Sequence, residues 1–189
     1  AAENAGVQCC DAGNDGYTAA AYRTSTSKAY GAKDNVIYEF TSGGEARQEI
    51  TLANSYDIQG MAFISANLFL ANDADNTIYK GAIPHGVAVT NDPLALAVKA
   101  AEGGNPAVLY ILTDAVPFDK IIAVDPDTGT ASAEFDAPDG SGEGLTYLGG
   151  FLYYATNAGE NKIYKLNATT GAPEANFRAQ NESGYEFGE

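Results

Sequence analysis

The stretch FLYYATNAGENKIYKLNATTG, Phe151 to Gly171, holds two runs of alternating or apolar residues, a loop of small polar residues and a closing turn. FLYYAT and KIYKLN both have the period and the Tyr-rich, β-branched composition of strands. AGEN and ATTG supply the residues that tight turns demand. Just upstream, GLTYL is a further short alternating run ended by GG; just downstream, APEANF is a more polar one. One unit is therefore strand, tight turn, strand, four times over, which is the pattern of an antiparallel meander.

The unit recurs. The strand after each polar loop reads NVIYEF around Ile37, NTIYKG around Ile78, DKIIAV around Ile121 and NKIYKL around Ile163, at spacings of 41, 43 and 42 residues. The segment Gln59 to Gly81 aligns with Glu143 to Leu166 across a one-residue gap, matching Gly60 to Gly144, Asn72 to Asn157 and Asn76 to Asn161. The copy from Ala107 to Gly129 keeps the rhythm, and the first copy keeps only its later half, Asp34 to Leu52. A four-stranded unit of this length cannot bury both faces alone, so neighbouring units must stack. The predicted fold is all-β: a β-propeller of four-stranded antiparallel blades with a repeat of about 42 residues.

The predicted organisation is an N-terminal segment with a partial first blade at 1–34, the rest of blade 1 at 35–56, and blades 2, 3 and 4 at 57–93, 94–138 and 139–183. Residues 184–189 then start a further blade or supply a closing strand. Residues 1–34 show no clean first strand, and GYEFGE resembles the run-up to one. Two readings follow. The favoured one is four blades of a ring of about six to eight; the other is a small complete ring closed by GYEFGE.

Composition narrows the function classes. The 189 residues carry 25 Asp plus Glu against 10 Lys plus Arg, a net charge of −15. Such a surface repels phosphate backbones and anionic membranes, so nucleic acid is excluded as a partner. Acidity suits cation binding or salty surroundings, and equally a merely soluble surface. No apolar run reaches the roughly 18 residues of a membrane span, and AAENAGVQ is not a signal peptide. The two cysteines are neighbours, Cys9 and Cys10. Their Cα atoms sit about 3.8 Å apart, short of the roughly 4.4 Å an ordinary disulfide needs. They remain open as a vicinal redox pair, soft-metal ligands, links to cysteines elsewhere, or idle thiols.

Phe151 to Gly171 resembles the repeats of YVTN and NHL propellers, and AVDPDTGTASAEF, Ala123 to Phe135, resembles a YVTN or PQQ-like hairpin. The resemblance covers about Asn35 to Asn181. It implies a propeller scaffold, a class that hosts binding platforms, lactonases, cyclotransferases and surface proteins. The chain has no Trp, so the docking tryptophans of quinoprotein repeats are missing, and with them bound PQQ. No GH…WD pattern marks a WD40 repeat. Propeller lactonases and gluconolactonases hold one divalent ion in the central channel, and the resemblance places Glu143, with its counterpart Gln59, near such a channel.

Chemistry is thinly written. The single histidine, His85, lies in AIPHGVAV and reads as a turn residue; there is no G-x-S-x-G elbow and no phosphate loop. DPDTGT is not an EF-hand, because its glycine comes one place early and no glutamate follows. Oxygen-rich loops offer calcium candidates at Asp73 and Asp75 and at Asp136 and Asp139, with Glu143 as the lactonase-like ligand. The sequons at Asn167 and Asn181 are no more than composition supplies by chance. The predicted function is a non-catalytic platform, extracellular or on a cell surface, that binds a protein, a glycan or neighbouring subunits and does not insert into membranes. Its alternative is a metal-dependent hydrolase of the lactonase type. The predicted binding loops share one rim and carry Asn72, Asp73, Asp75, Asn76, Asp119, Asn157, Glu160 and Asn161, with calcium as the one candidate cofactor.

Overall fold

The computed structural model describes residues 17–41, 46–52, 56–81, 83–158 and 161–178. Cys9, Cys10, Glu160, Asn181 and the segment 184–189 lie outside the described residues. Among the described residues, sixteen strands form four antiparallel sheets, each a simple meander. Blade 1 is β1 (Ala19–Arg23), β2 (Lys28–Lys33), β3 (Val36–Phe40) and β4 (Ala46–Thr51). Blade 2 is β5 (Ile58–Ile64), β6 (Asn67–Asn72), β7 (Thr77–Lys80) and β8 (Ile83–Ala88). Blade 3 is β9 (Pro93–Lys99), β10 (Val108–Thr113), β11 (Lys120–Val124) and β12 (Ala131–Asp136). Blade 4 is β13 (Gly142–Leu148), β14 (Phe151–Thr156), β15 (Lys162–Asn167) and β16 (Pro173–Arg178). The architecture is a β-propeller. It differs from the sequence reading in three places. Blade 1 has a first strand, β1, paired with β2 from Ala19↔Ala32 to Arg23↔Lys28; its AAAYR sequence is too short and small to show an alternation. His85 sits in β8 rather than in a turn. The pairing register equates Asn72 with Thr156 rather than with Asn157, since Ile58 faces Asn72 and Gly142 faces Thr156 across matching bulges.

Alternation along each strand explains the packing. In β10, Leu109 and Ile111 point to blade 2 while Tyr110 and Leu112 point to blade 4, so the strand is apolar on both faces up to the buried Thr113 that ends it. Three apolar seams result. Ile37 and Ala32 meet Ile58, Met61 and Leu70 between blades 1 and 2; Phe69 and Ile78 meet Leu96, Leu109 and Val124 between blades 2 and 3. Leu112 and Ile121 meet Leu145, Leu152, Tyr154 and Leu166 between blades 3 and 4. Each large side chain so buried contributes about 1.5–3 kcal/mol. The first strands pack on one another in series, β1 on β5, β5 on β9 and β9 on β13. Their close approach needs a small residue at one repeat position, filled by Ala19, Gly60, Ala95 and Gly144. At Gly60 a Cβ would lie 2.9 Å from the Leu96 backbone nitrogen, which is why the sequence keeps glycine there.

The hairpins between third and fourth strands repeat in detail. Asp125 Oδ1 accepts from the N–H groups of Asp127 and Thr128 at 2.8 and 2.9 Å. Asn167 Oδ1 does the same for Thr169 and Thr170 at 2.9 and 3.1 Å. Each turn ends in a glycine at φ 73°, Gly129 or Gly171, as the turn chemistry predicts.

Candidate functional site

The second and third strands of blades 2, 3 and 4 are joined by loops at one end of the stacked sheets, and these loops hold most of the predicted site residues. In blade 2 the loop is a single 3-10 turn, Asp73–Asp75, ended by Asn76 in the left-handed region at φ 52°. Asn72 is buried beneath it. Its Oδ1 accepts from the Asp57 N–H at 2.7 Å and its Nδ2 donates to Asp75 Oδ1 at 2.7 Å. The Tyr79 hydroxyl donates to the other Asp75 oxygen. That bond, assisted by burial, pushes the Tyr79 phenol up to about 12. Asp75 is thus a brace of its own loop.

Asp73 has a different setting. Burial raises its carboxyl above the usual range, and the charges of Asp92, Asp57 and Asp114 raise it further. These four carboxylates come from matching positions. Asp57 and Asp92 immediately precede the first strands of blades 2 and 3, and Asp73 and Asp114 immediately follow the second strands. The Asp73 N–H donates to the Asp57 carbonyl and the Asp114 N–H to the Asp92 carbonyl, each at 2.8 Å. In blade 4 the pair is Ser141 and Asn157, joined by the same backbone bond at 2.9 Å but uncharged. Negative charge is therefore concentrated where blades 2 and 3 meet.

Asp119, expected in an exposed loop, is wholly buried. Its Oδ2 accepts from the Gly142 N–H at 2.7 Å and from the Tyr154 hydroxyl at 2.8 Å, so it ties blade 3 to blade 4. Burial pushes its carboxyl up, and the bonds from Tyr154, Gly142 and Ala115 offset part of that. Burial and Asp119 together push the Tyr154 phenol well above its ordinary value. The carbonyls of Asp139 and Gly140 also lie 2.9 and 3.1 Å from that hydroxyl, competing for its one proton. Gly142 must be glycine, because a Cβ there would stand 2.5 Å from Asp119 Oδ2.

The remaining candidates are dispersed. Lys120 forms an ion pair with Asp136, and the Tyr164 hydroxyl donates to Asp139 Oδ2 at 3.2 Å. Glu143 is exposed on the bulge of β13, at the same place that Gln59 takes in β5. Asn157 and Asn161 are half-buried at the two ends of the blade 4 loop. Among the described residues, no three of His, Cys, Asp and Glu converge in an arrangement that could hold a metal ion. Asp57, Asp92 and Asp114 were missed by sequence reasoning, although an Asp recurring on both sides of the inner hairpin in successive repeats was a signal for them.

No protein-family profile and no curated protein sequence matches the chain. Solved structures do match. The chain is similar to Kuenenia stuttgartiensis hydrazine synthase, at TM-score 0.64 and 9% identity over 86% of this chain and 49% of that one. It is similar to virginiamycin B lyase from Staphylococcus aureus, at TM-score 0.60 and 15% identity over 90% and 58%. It is also similar to Myxococcus xanthus glutaminyl cyclase, at TM-score 0.63 and 10% identity over 85% and 69%. These likenesses define the class of protein as a β-propeller and extend to the fold alone. The chain spans about half the length of the hydrazine synthase chain and somewhat more of the lyase.

Proposed function

We propose that the chain is a binding platform, built from repeats of the YVTN and NHL kind, that presents a rigid acidic rim to a cationic protein partner outside the cell or on a cell surface. The observation that carries this reading is the group of Asp57, Asp73, Asp92 and Asp114 at the junction of blades 2 and 3, where Asp73 is held against the repulsion of the other three. The Asn72–Asp75–Tyr79 brace supports it, since loops fixed before binding lose less freedom on binding. Focused negative potential steers and orients a partner of opposite sign.

The test is titration of a short polylysine peptide by calorimetry at low and at physiological salt. Binding should weaken as salt rises, and Asp73→Asn with Asp92→Asn should weaken it about tenfold at low salt, the effect of removing two partly screened charges. Binding that ignores both substitutions would overturn the acidic rim as the partner surface. Hydrolysis of a simple lactone dependent on added calcium would replace the platform reading with the metal-dependent hydrolase.

A further inference from the structure

Each seam joins the forward face of one blade to the rear face of the next, and the described residues hold three such seams. Among the described residues, no apolar core cluster joins the forward face of blade 4 to the rear face of blade 1. Repeat equivalence shows what these faces would meet. Ile121 and Phe135 on blade 3 are covered by blade 4: Ile121 is fully buried, and Phe135 lies where a Cβ on Gly171 would touch it at 2.4 Å. Their counterparts on blade 4 are Ile163, half-buried, and Phe177, 51% exposed. At one repeat position an aromatic pair crosses two of the three seams. Tyr110 stacks on Tyr147 between blades 3 and 4, with centroids 6.0 Å apart, and Tyr30 lies on Phe63 between blades 1 and 2 at 4.9 Å. The open faces carry the two halves of a further pair: Tyr153 on blade 4, and Tyr22 on blade 1, 57% exposed.

Lys165, whose ammonium lies 3.5 Å from the centre of the Phe151 ring, does not bar such a contact. Its counterpart Lys80 lies within the seam between blades 2 and 3 and reaches the Pro126 carbonyl and Asp127 of the next blade, each at 3.5 Å. Blade 1 answers with an aromatic surface, in which Tyr17 packs edge-on against Tyr38 and Phe40 at 5.5 and 5.1 Å.

We propose that the forward face of blade 4 docks on the rear face of blade 1 of a second copy of this chain, so that two copies close one ring and Tyr153 stacks on Tyr22 of its mate. The contact continues the three internal seams in kind and in register. Because the two faces differ, each copy uses both of them, and closure stops the assembly at two.

The test is sedimentation velocity on the chain and on Tyr153→Glu and Tyr22→Lys, each checked for unchanged strand content by circular dichroism. The chain should sediment at twice its 19.7 kDa mass, and each variant alone at the single mass. An equimolar mixture of the two variants should recover the dimer, because a mixed pair keeps one unaltered seam and sets Glu against Lys in the other. Should either charge disturb the fold, Tyr153→Ser and Tyr22→Ser give the same reading without it. Each copy carries −15, so the dimer fraction should rise with salt as repulsion is screened. A chain that stays monomeric at its highest soluble concentration, a dimer indifferent to both substitutions, a dimer dissolved by salt, or a ladder of growing polymers would each overturn the proposal.

Discussion

Tyr154→Phe removes one oxygen and leaves the ring that fills the seam between blades 3 and 4. The hydroxyl donates at 2.8 Å to Asp119, a carboxylate with no solvent exposure. Hydrogen bonds to charged groups contribute about 1.5–3 kcal/mol, and the carboxylate left behind keeps its desolvation penalty. For a chain of this size that corresponds to about 3–12 °C in Tm. The loss should depend on pH in a definite sense. Burial already holds the folded Asp119 carboxyl above its unfolded value, so the folded state binds its proton more tightly and stability falls as pH rises through that window. Without the Tyr154 hydroxyl the folded carboxyl rises further, so the variant loses more than the parent across the same window. Urea unfolding at pH 7 and pH 4 should therefore show a larger deficit at pH 7. Tyr153→Phe, one residue away on the opposite face, should change stability by less than about 0.5 kcal/mol. A Tyr154→Phe deficit below about 0.5 kcal/mol at pH 7, or one larger at pH 4, would refute the tie between the blades.

Other outcomes follow from the same geometry. Gly142→Ala forces a methyl to within 2.5 Å of Asp119 Oδ2 and 2.6 Å of the Tyr154 ring; thermal unfolding should show a loss of about 3 kcal/mol, at the upper end for overpacked cores. Gly171→Ala combines φ 73° with a 2.4 Å approach to Phe135, so it should cost more than the about 1–2 kcal/mol of a left-handed alanine alone. Tyr79 should ionise at about 12 in an ultraviolet titration; its folded value is raised, so its contribution is complete below the unfolded value and is lost as pH rises through the folded one. Asp75→Asn should lower that titration toward the ordinary range. Asp73→Asn should raise stability by up to about 1 kcal/mol of relieved repulsion, seen as a slightly higher Tm, while weakening polylysine binding.

Much of the fold was legible because propeller blades write their pattern locally. The isoleucine anchors, the glycine at Gly60 and the turns ending in Gly129 and Gly171 each report a local constraint: a buried strand centre, a close backbone approach, a positive φ. What escaped was set between blades. Asp119 reads like a loop residue, yet it is buried because Tyr154 and Gly142, 35 and 23 residues further on, arrive to meet it. The acidic rim escaped for the same reason, since Asp57, Asp73, Asp92 and Asp114 become one group only when two sheets stand side by side. β1 was missed because three alanines give no period to read.

Similar blades pose a problem of order, because an apolar face of one sheet fits many others. The polar contacts of the described seams are unequal in a way that answers it. Between blades 1 and 2 the Thr18 hydroxyl donates across to the Ile58 carbonyl at 2.5 Å; between blades 2 and 3 Lys80 reaches the Asp127 turn. Between blades 3 and 4 the buried Asp119 accepts from Tyr154 and Gly142. A buried carboxylate adds little net stability, since its desolvation offsets its bonds, but a wrong neighbour that left it unpaired would cost several kcal/mol, about the whole margin of a domain. Apolar burial thus supplies the cohesion, and the buried Asp119 contact penalises a wrong neighbour for blade 3, whereas the Lys80–Asp127 pair, exposed at Asp127, adds little. The same Asp119 tie anchors the blade 3 loop that follows Asp114 to blade 4.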